Sequence, residues 1–423
     1  MSITRENISS LLKFSGSSEA TFRVQDEYGA HHYNPLRVAP TYGAGMWLWD
    51  QEGKKYMDMQ ACYSALPFGH NPPELVEFII SRLKEREVSI LPQSVHSPDR
   101  AKFLAALSMV SGMNKVLPMN TGAEAVETAI KLARRWGYQA KGIPENQAEI
   151  VMFENNFHGR TMAIISGSSE AHYRRGFGPF VPGMKIVPFG DAQALYNAIT
   201  PNTAAVLLER IQAEGGILLP PDGYLREVRQ ICHETNALMV IDGIQTELGR
   251  AGALFYYQLN KYAGTTPDLL ILGKGLGGGM AVISAVLGRA DVFNLLDVGS
   301  HGSTFAGNPL ACAIVTKTLE MLLHPALMGH IQEMGDYISS FLRNIQNPLI
   351  KEVRGPGLLI GAELYPEAGG ARRYCDALDQ AGVICYPTHD NVIRFAPPFI
   401  ITKQDCDDWA FPRIQKVLAK KTP

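Results

Sequence analysis

The chain has 423 residues, enough to bury a large core, and its formal net charge of -2 gives no electrostatic case for nucleic acid or an anionic membrane as partner. Six cysteines (Cys62, Cys232, Cys312, Cys375, Cys385, Cys406) are scattered without a C-x-x-C pair, which fits free thiols in a reducing compartment, and no uninterrupted apolar stretch is long enough to span a bilayer. The eleven histidines contain no H-E-x-x-H or comparable cluster, so no metal site is expected.

Residues 1–18 are rich in serine and carry Arg5 and Lys13, but they also hold Glu6 and lack the apolar core of a signal peptide. A cytoplasmic protein is the expectation. The next informative stretch is Asn120, Thr121, Gly122, Ala123, followed by a helical pattern from Glu124 to Trp136 in which Val126, Ala129, Ile130, Ala133 and Trp136 share one face. Such a turn leaves backbone N–H groups and the Thr121 hydroxyl at the positive end of a helix dipole, where a phosphate would sit. An ordinary helix cap accounts for the same residues.

Strand-like apolar runs then alternate with helical ones: 148–153, 204–209, 237–242, 269–273 and 281–287, with a helix over Tyr224–Asn236. This alternation predicts an α/β protein with a largely parallel sheet covered by helices. Pro309–Leu323 reads as a long helix leaving that core. Leu358–Leu364 and Val392–Phe395 read as short strands of a separate C-terminal domain. No internal repeat or low-complexity segment interrupts the pattern.

Two of these runs end on chemistry. The run from Ala237 closes on Asp242, and the run from Leu269 closes on Gly273 and Lys274, which puts an acid and an amine at one rim of a sheet. Pyridoxal phosphate needs that pair: a lysine to hold its aldehyde as a Schiff base, and an acid to keep its pyridine nitrogen protonated. A solvated lysine at a strand end is the alternative on these two residues alone. Gly273, Gly275 and Gly278 match the spacing of a dinucleotide fingerprint, but that fingerprint must open a helix, and the following Ala281–Val286 reads as a strand. A P-loop fails because no Ser or Thr follows Lys274. The glycines are expected to let backbone pass close to a cofactor.

Taken together, several strings in this order resemble the class III pyridoxal phosphate aminotransferases of fold type I, and within them the members that act on ornithine. They are YGAHHYNPL, LPMNTGAEAVETAIKLARRWGY, NNFHGRT, GFGPF, HGSTFAGNPLA and YPTHDNVIRFAPP, running from Tyr28 over nearly the whole chain. The resemblance implies an N-terminal segment (1–60) joining a small domain, a large cofactor-binding domain (61–320) with a mainly parallel seven-stranded sheet, and a smaller α+β domain (321–423). It implies that Lys274 binds the cofactor and shuttles the proton, that Asp242 pairs with the pyridinium nitrogen, and that Gln245 sits near the phenolic oxygen. Phe157 would stack on the ring, Gly122 and Ala123 would hold phosphate beside Thr121, and Thr304 would reach the phosphate from the partner subunit of an obligate homodimer.

For the substrates, the resemblance implies that Tyr33 and Arg160 hold the α-amino and α-carboxylate groups of L-ornithine, and that Tyr63 shapes the pocket for ornithine rather than 4-aminobutyrate. Arg394 would bind a carboxylate of 2-oxoglutarate, masked by Glu214 while ornithine is bound. The implied reaction is transfer of the δ-amino group of ornithine to 2-oxoglutarate by a ping-pong route. Another ω-aminotransferase acting on acetylornithine, lysine, 4-aminobutyrate or a diamine is the alternative. An amine shift or racemisation on the same cofactor, or a binding protein without turnover, is the remoter one. His158, His301 and His389 are expected to serve as loop hydrogen-bond partners, and Trp136 and Tyr138 as core. The chain also departs from the family pattern: Gly243 and Glu247 stand in Asp-Gly-Ile-Gln-Thr-Glu where Asp-Glu-Ile/Val-Gln-Thr-Gly is usual, Arg210 and Ala213 replace Pro and Gly, and His158 replaces a frequent Trp.

Overall fold

The computed structural model describes residues 8–9 and 16–419, so most of the expectation for residues 1–18 lies outside the described residues. Fifteen strands among them form three sheets. In chain order they are β1 (Pro40–Ala44), β2 (Trp47–Asp50), β3 (Lys55–Asp58), β4 (Lys115–Met119), β5 (Glu149–Phe153), β6 (Met184–Val187), β7 (Thr203–Leu208), β8 (Leu238–Asp242), β9 (Leu269–Leu272), β10 (Ser284–Gly288), β11 (Ile350–Arg354), β12 (Ile360–Leu364), β13 (Val383–Ile384), β14 (Tyr386–Thr388) and β15 (Val392–Phe395).

The central sheet has seven strands in the order β4-β10-β9-β8-β7-β5-β6. Only β10 runs antiparallel to its neighbours. β7, β8 and β9 are buried at every residue, which is why their sequences are unbroken apolar runs rather than alternating ones: both faces of the sheet are covered. One covering helix, Gly122–Gln139, buries Val126, Ala129, Ile130, Ala133 and Trp136. Another, Tyr224–Glu234, buries Leu225, Val228 and Ile231.

Two smaller sheets flank this core. β13 pairs in parallel with β3, joining the region of residues 40–58 to the C-terminal part of the chain. The sheet β11-β12-β15-β14 carries Arg394 on its buried strand β15.

Two expectations are corrected. The strand anticipated from residue 281 begins at Ser284, because the Met280 and Ala281 N–H groups donate to the Gly277 carbonyl and finish the preceding turn. The helix Pro309–Leu322 does not leave the core. Nine of its residues are buried, and it packs along the helix Pro98–Ser111 and against the Lys274–Gly277 turn. Among the glycines after Lys274, Gly278 is packed against protein, where a Cβ would lie 2.4 Å from Thr318 Oγ1 and 2.7 Å from Leu75 Cδ1, whereas a Cβ on Gly275 would come no nearer than 3.9 Å to any neighbour. β4 and β6 escaped the sequence reading, one containing Pro118 and lysine at an edge position, the other only four residues long.

No single helix among the described residues is long and apolar enough to cross a membrane. The helices Pro309–Leu322 and Leu327–Arg343 satisfy length and composition only as a pair, bent by 71°.

Candidate active site

The C-terminal ends of parallel strands are where an open α/β sheet presents its chemistry. Here β7 ends beside Glu209, β8 ends on Asp242, and β9 leads through Gly273 to Lys274. Since Leu208 pairs with Ile241 and Asp242 with Ile271, these three groups come out side by side at one rim.

Lys274 sits at φ 43, the left-handed region that a residue with a Cβ rarely adopts, and opens a short 3-10 turn. Such backbone persists only where the surroundings hold it. Its Nζ donates to Gln245 Oε1. Burial pushes its amine down to about 8; the neighbouring Arg394 acts in the same sense, while Glu214, Asp242 and Glu209 oppose it. Lys274 therefore gives up its proton far more readily than a solvated lysine.

Asp242 is 4 % exposed. Its Oδ1 accepts the Ile244 N–H at 3.1 Å, and its Oδ2 lies 2.7 Å from His158 Nδ1. His158 is thus a partner of the expected cofactor acid itself, a role that its position in the loop string did not reveal. Burial works against the imidazolium, but the hydrogen bond and charge of Asp242 and the charge of Glu209 prevail and raise its pKa. Glu209, also missed, is pushed up to about 8, chiefly by burial, and its Oε2 accepts the Phe157 N–H at 3.0 Å. The sequence did carry its signal: an acid directly after an apolar run, as at Asp242.

At the rim end of β4, Thr121 caps the 18-residue helix Gly122–Gln139 in a capping box. The Glu124 carboxylate takes the N–H groups of Asn120 and Thr121, both at 2.8 Å, and the Thr121 hydroxyl takes the Glu124 N–H at 3.2 Å. This narrows the expectation: the Thr121 N–H is already used, and Gly122 and Ala123 keep free N–H groups at the helix start. A Cβ on Gly122 would lie 3.0 Å from Ile244 Cδ1, so this backbone approaches the loop after Asp242 closely. Thr121 and Ala123 line a cleft of about 690 Å³ together with Thr161, His301 and Thr304; Lys274 and Asp242 are not among its lining residues.

A second group of residues lies near Lys274. Arg394, 1 % exposed, donates from Nη1 to Glu214 Oε1 at 2.5 Å. Glu214 is held below the usual carboxylate range, burial being outweighed by Arg394 and Lys274, with Gln245 acting in the same sense. The Tyr63 ring lies 5.6 Å from the Arg394 guanidinium and packs edge-on to Tyr386. Tyr63 is carried by a one-turn segment, Ala61–Ser64, in which all four residues have positive φ. Asp58 holds that segment: Oδ1 accepts the N–H groups of Gln60 and Ala61, and Oδ2 pairs with His70 at 2.8 Å.

Tyr33 is close enough to Tyr63 to raise its phenol pKa, though burial is the larger cause. Tyr33 itself is 61 % exposed. Arg160 is exposed, with its guanidinium 3.7 Å from the Tyr173 ring and 5.5 Å from that of Phe157.

The donor set fits pyridoxal phosphate on structural grounds. A buried lysine amine, a buried carboxylate oriented from both oxygens, and two unpaired N–H groups at the start of a long helix converge at one sheet rim. No group of three or more metal-ligating side chains occurs among the described residues.

Fold and rim chemistry of this kind define a pyridoxal-dependent transferase, and residues 28–418 match the model of the class-III aminotransferases, the family to which the chain belongs. It is 49% identical over 399 residues to the ornithine aminotransferase of Geobacillus sp. (strain WCH70), covering 94% of this chain and 98% of that one. It is 48% identical over 393 residues to that of Bacillus subtilis (strain 168), covering 92% and 95%. Among solved structures, the ornithine aminotransferase of Toxoplasma gondii superposes with a TM-score of 0.92 at 35% identity, covering 99% of this chain and 98% of that one; it was described with partial occupancy of pyridoxal phosphate. The acetylornithine aminotransferase of Elizabethkingia anophelis gives 0.84 at 37% identity, covering 95% and 99%.

Proposed function

We propose that the chain is a pyridoxal-phosphate-dependent ornithine aminotransferase. It moves the δ-amino group of L-ornithine to 2-oxoglutarate, yielding glutamate 5-semialdehyde, which cyclises with loss of water to pyrroline-5-carboxylate, and glutamate. The observation that carries this reading is the Glu214–Arg394 pair beside Lys274. A two-substrate enzyme whose donor reacts at its distal amine and whose acceptor reacts at its α-carbon needs a carboxylate site available to one and masked from the other. A buried arginine masked by an acid that could release it meets that requirement.

When bound, pyridoxal phosphate supplies the carbonyl that captures the amine and the ring that draws electrons from the substrate carbon. The residues of the chain do the rest. Lys274, poised near pH 8, takes and returns the proton at the carbon that bears the migrating nitrogen. Asp242 is oriented by His158 and the Ile244 N–H; it would hold the pyridine nitrogen of the bound group protonated, with Phe157 beside the ring. Gln245 would hold the phenolic oxygen, and Gly122, Ala123 and the Thr121 hydroxyl would hold the phosphate. Tyr33 and Arg160 hold the α end of ornithine, and Tyr63 narrows the pocket.

We further propose a cytoplasmic homodimer in which Thr304 completes the partner's phosphate site. In support, all six cysteines are free. Val88, Ile90, Val95 and Phe305 are exposed on two segments tied together by the Gln93 to Ala306 and Leu310 to Ser89 hydrogen bonds, an apolar surface suited to a second copy.

The test is sequential. L-Ornithine alone should bleach the visible band of the holoenzyme with formation of pyrroline-5-carboxylate, and 2-oxoglutarate should restore it. A preparation silent to ornithine but responsive to acetylornithine, lysine or 4-aminobutyrate would keep the family chemistry and refute the substrate. Sedimentation of the same preparation should return twice the 46.4 kDa chain mass, and a monomer with full activity would refute the shared site.

Asp58→Asn tests how Tyr63 is placed. Loss of the charge behind the left-handed segment should raise KM for ornithine roughly tenfold with a smaller change in kcat. An unchanged ratio of ornithine to 4-aminobutyrate turnover would separate Asp58 from donor selection.

A further inference from the structure

Three of the departures from the family pattern, Arg210, Gly243 and Glu247, meet in space. Arg210 follows Glu209 at the end of β7, and Glu247 lies two residues beyond Gln245 in the turn after β8. Arg210 Nη1 donates to Glu247 Oε1 at 2.5 Å, and neither side chain has any exposed surface. Each partner is fixed a second time: Arg210 Nη2 donates to the Thr265 carbonyl at 3.3 Å, and the Tyr256 N–H donates to Glu247 Oε2 at 2.6 Å. The Tyr257 ring lies 5.1 Å from the guanidinium.

Gly243 belongs to the same arrangement. A Cβ there would lie 2.4 Å from Glu247 Cγ and 3.2 Å from the Ile271 carbonyl. Because Glu247 is pinned at its carboxylate, its Cγ has nowhere to go, so a side chain at 243 and this placement of Glu247 exclude one another. Ala213, the fourth departure, is buried with Ile211, Ala251 and Tyr256 in one apolar cluster on the same segment.

Isolated, either charge would be costly in this dry surrounding; paired, each locks its segment to the other. One segment carries Glu209 and Glu214, the other Asp242 and Gln245, and Glu214 and Gln245 are the groups set against Lys274. We propose that Arg210 and Glu247 are positioning residues whose buried ion pair braces these two segments and so sets the approach of Glu214 and Gln245 to Lys274. This inference rests on the reading of Glu214 and Lys274 given above.

The test compares the unmodified chain with Arg210→Met, Glu247→Met, the double variant and the conservative Arg210→Lys. In the cofactor-free protein each methionine single variant should lower Tm by on the order of 5 °C or more, and the double variant should lose less than the two losses added. In the holoenzyme the double variant, with both charges gone, should show KM for 2-oxoglutarate raised roughly tenfold and kcat changed less, with Arg210→Lys recovering part of the loss. Additive Tm losses would overturn the brace. Coupled Tm losses with KM unchanged would leave a structural pair and overturn the positioning role. If the unmodified chain does not use ornithine with 2-oxoglutarate, the substrate reading fails by itself, and the same KM comparison is made with the amine and keto acid that it does accept.

Discussion

Replacing Lys274 with alanine should lower steady-state turnover by at least about 10⁴-fold while leaving the fold intact. No other side chain within the described site combines an amine, contact with Gln245 and proximity to Asp242 and Glu214. An externally supplied primary amine should restore part of the rate, because the proton-transfer function is lost but the acid, the helix terminus and the substrate residues remain. The variant has a second readout that needs no substrate. Burial lowers the folded-state pKa of Lys274 to about 8, below its ordinary value, so between the two the unfolded chain binds more protons and stability rises with pH. Below pH 8 the folded protein must hold a buried ammonium at full cost. The cofactor-free Lys274→Ala protein should therefore gain most over the unmodified chain below pH 8, and that advantage should shrink as pH rises above it. A Tm difference that does not vary across pH 6–10 would contradict the lowered pKa, and undiminished turnover would remove Lys274 from the mechanism.

The second large effect is expected at the Glu214–Arg394 pair, and the two halves of the reaction should separate there. Arg394→Met removes the buried guanidinium at the proposed acceptor carboxylate site. Truncating one member of such a pair costs about 2–5 kcal/mol, which corresponds to a loss of roughly 30- to 5,000-fold in kcat/KM for 2-oxoglutarate. The single-turnover reaction with ornithine should be affected far less, since its α-carboxylate is assigned to Arg160. Glu214→Gln should act in the opposite way: with the mask neutralised, Arg394 becomes available in the donor half as well, and reaction with donors presented through the α-carbon, such as glutamate, should rise relative to ornithine. Rapid-mixing measurement of each half reaction checks both. Equal losses in both halves for Arg394→Met would show that the pair only ties the Glu214 loop to β15.

The fate of the chain's unusual residues shows where reading residues in order stops being informative. Taken along the chain, Arg210 and Glu247 look like two charges added near an acid, and Gly243 like a lost carboxylate beside Asp242. In the folded protein they form one neutralised, self-consistent set, with Glu247 occupying the space a side chain at 243 would need. His158 reads as one more loop histidine until the sheet brings β5 and β8 to the same rim and sets it 2.7 Å from Asp242.

By itself the sequence determined what depends on local pattern: the buried runs that became β5, β7, β8 and β9, the capped helix from Gly122, and the acid and amine that close β8 and follow β9. Those features are legible because strand burial and helix capping are set by residues a few positions apart. The likeness of whole strings to a known family supplied the long-range expectations, such as Glu214 meeting Arg394 across 180 residues. Only the tertiary structure decided the pairings of Arg210 with Glu247 and of His158 with Asp242, the left-handed segment that carries Tyr63, and the depressed basicity of Lys274. Each of these depends on which distant groups share one buried space, and there desolvation and charge act through distance in three dimensions rather than along the chain.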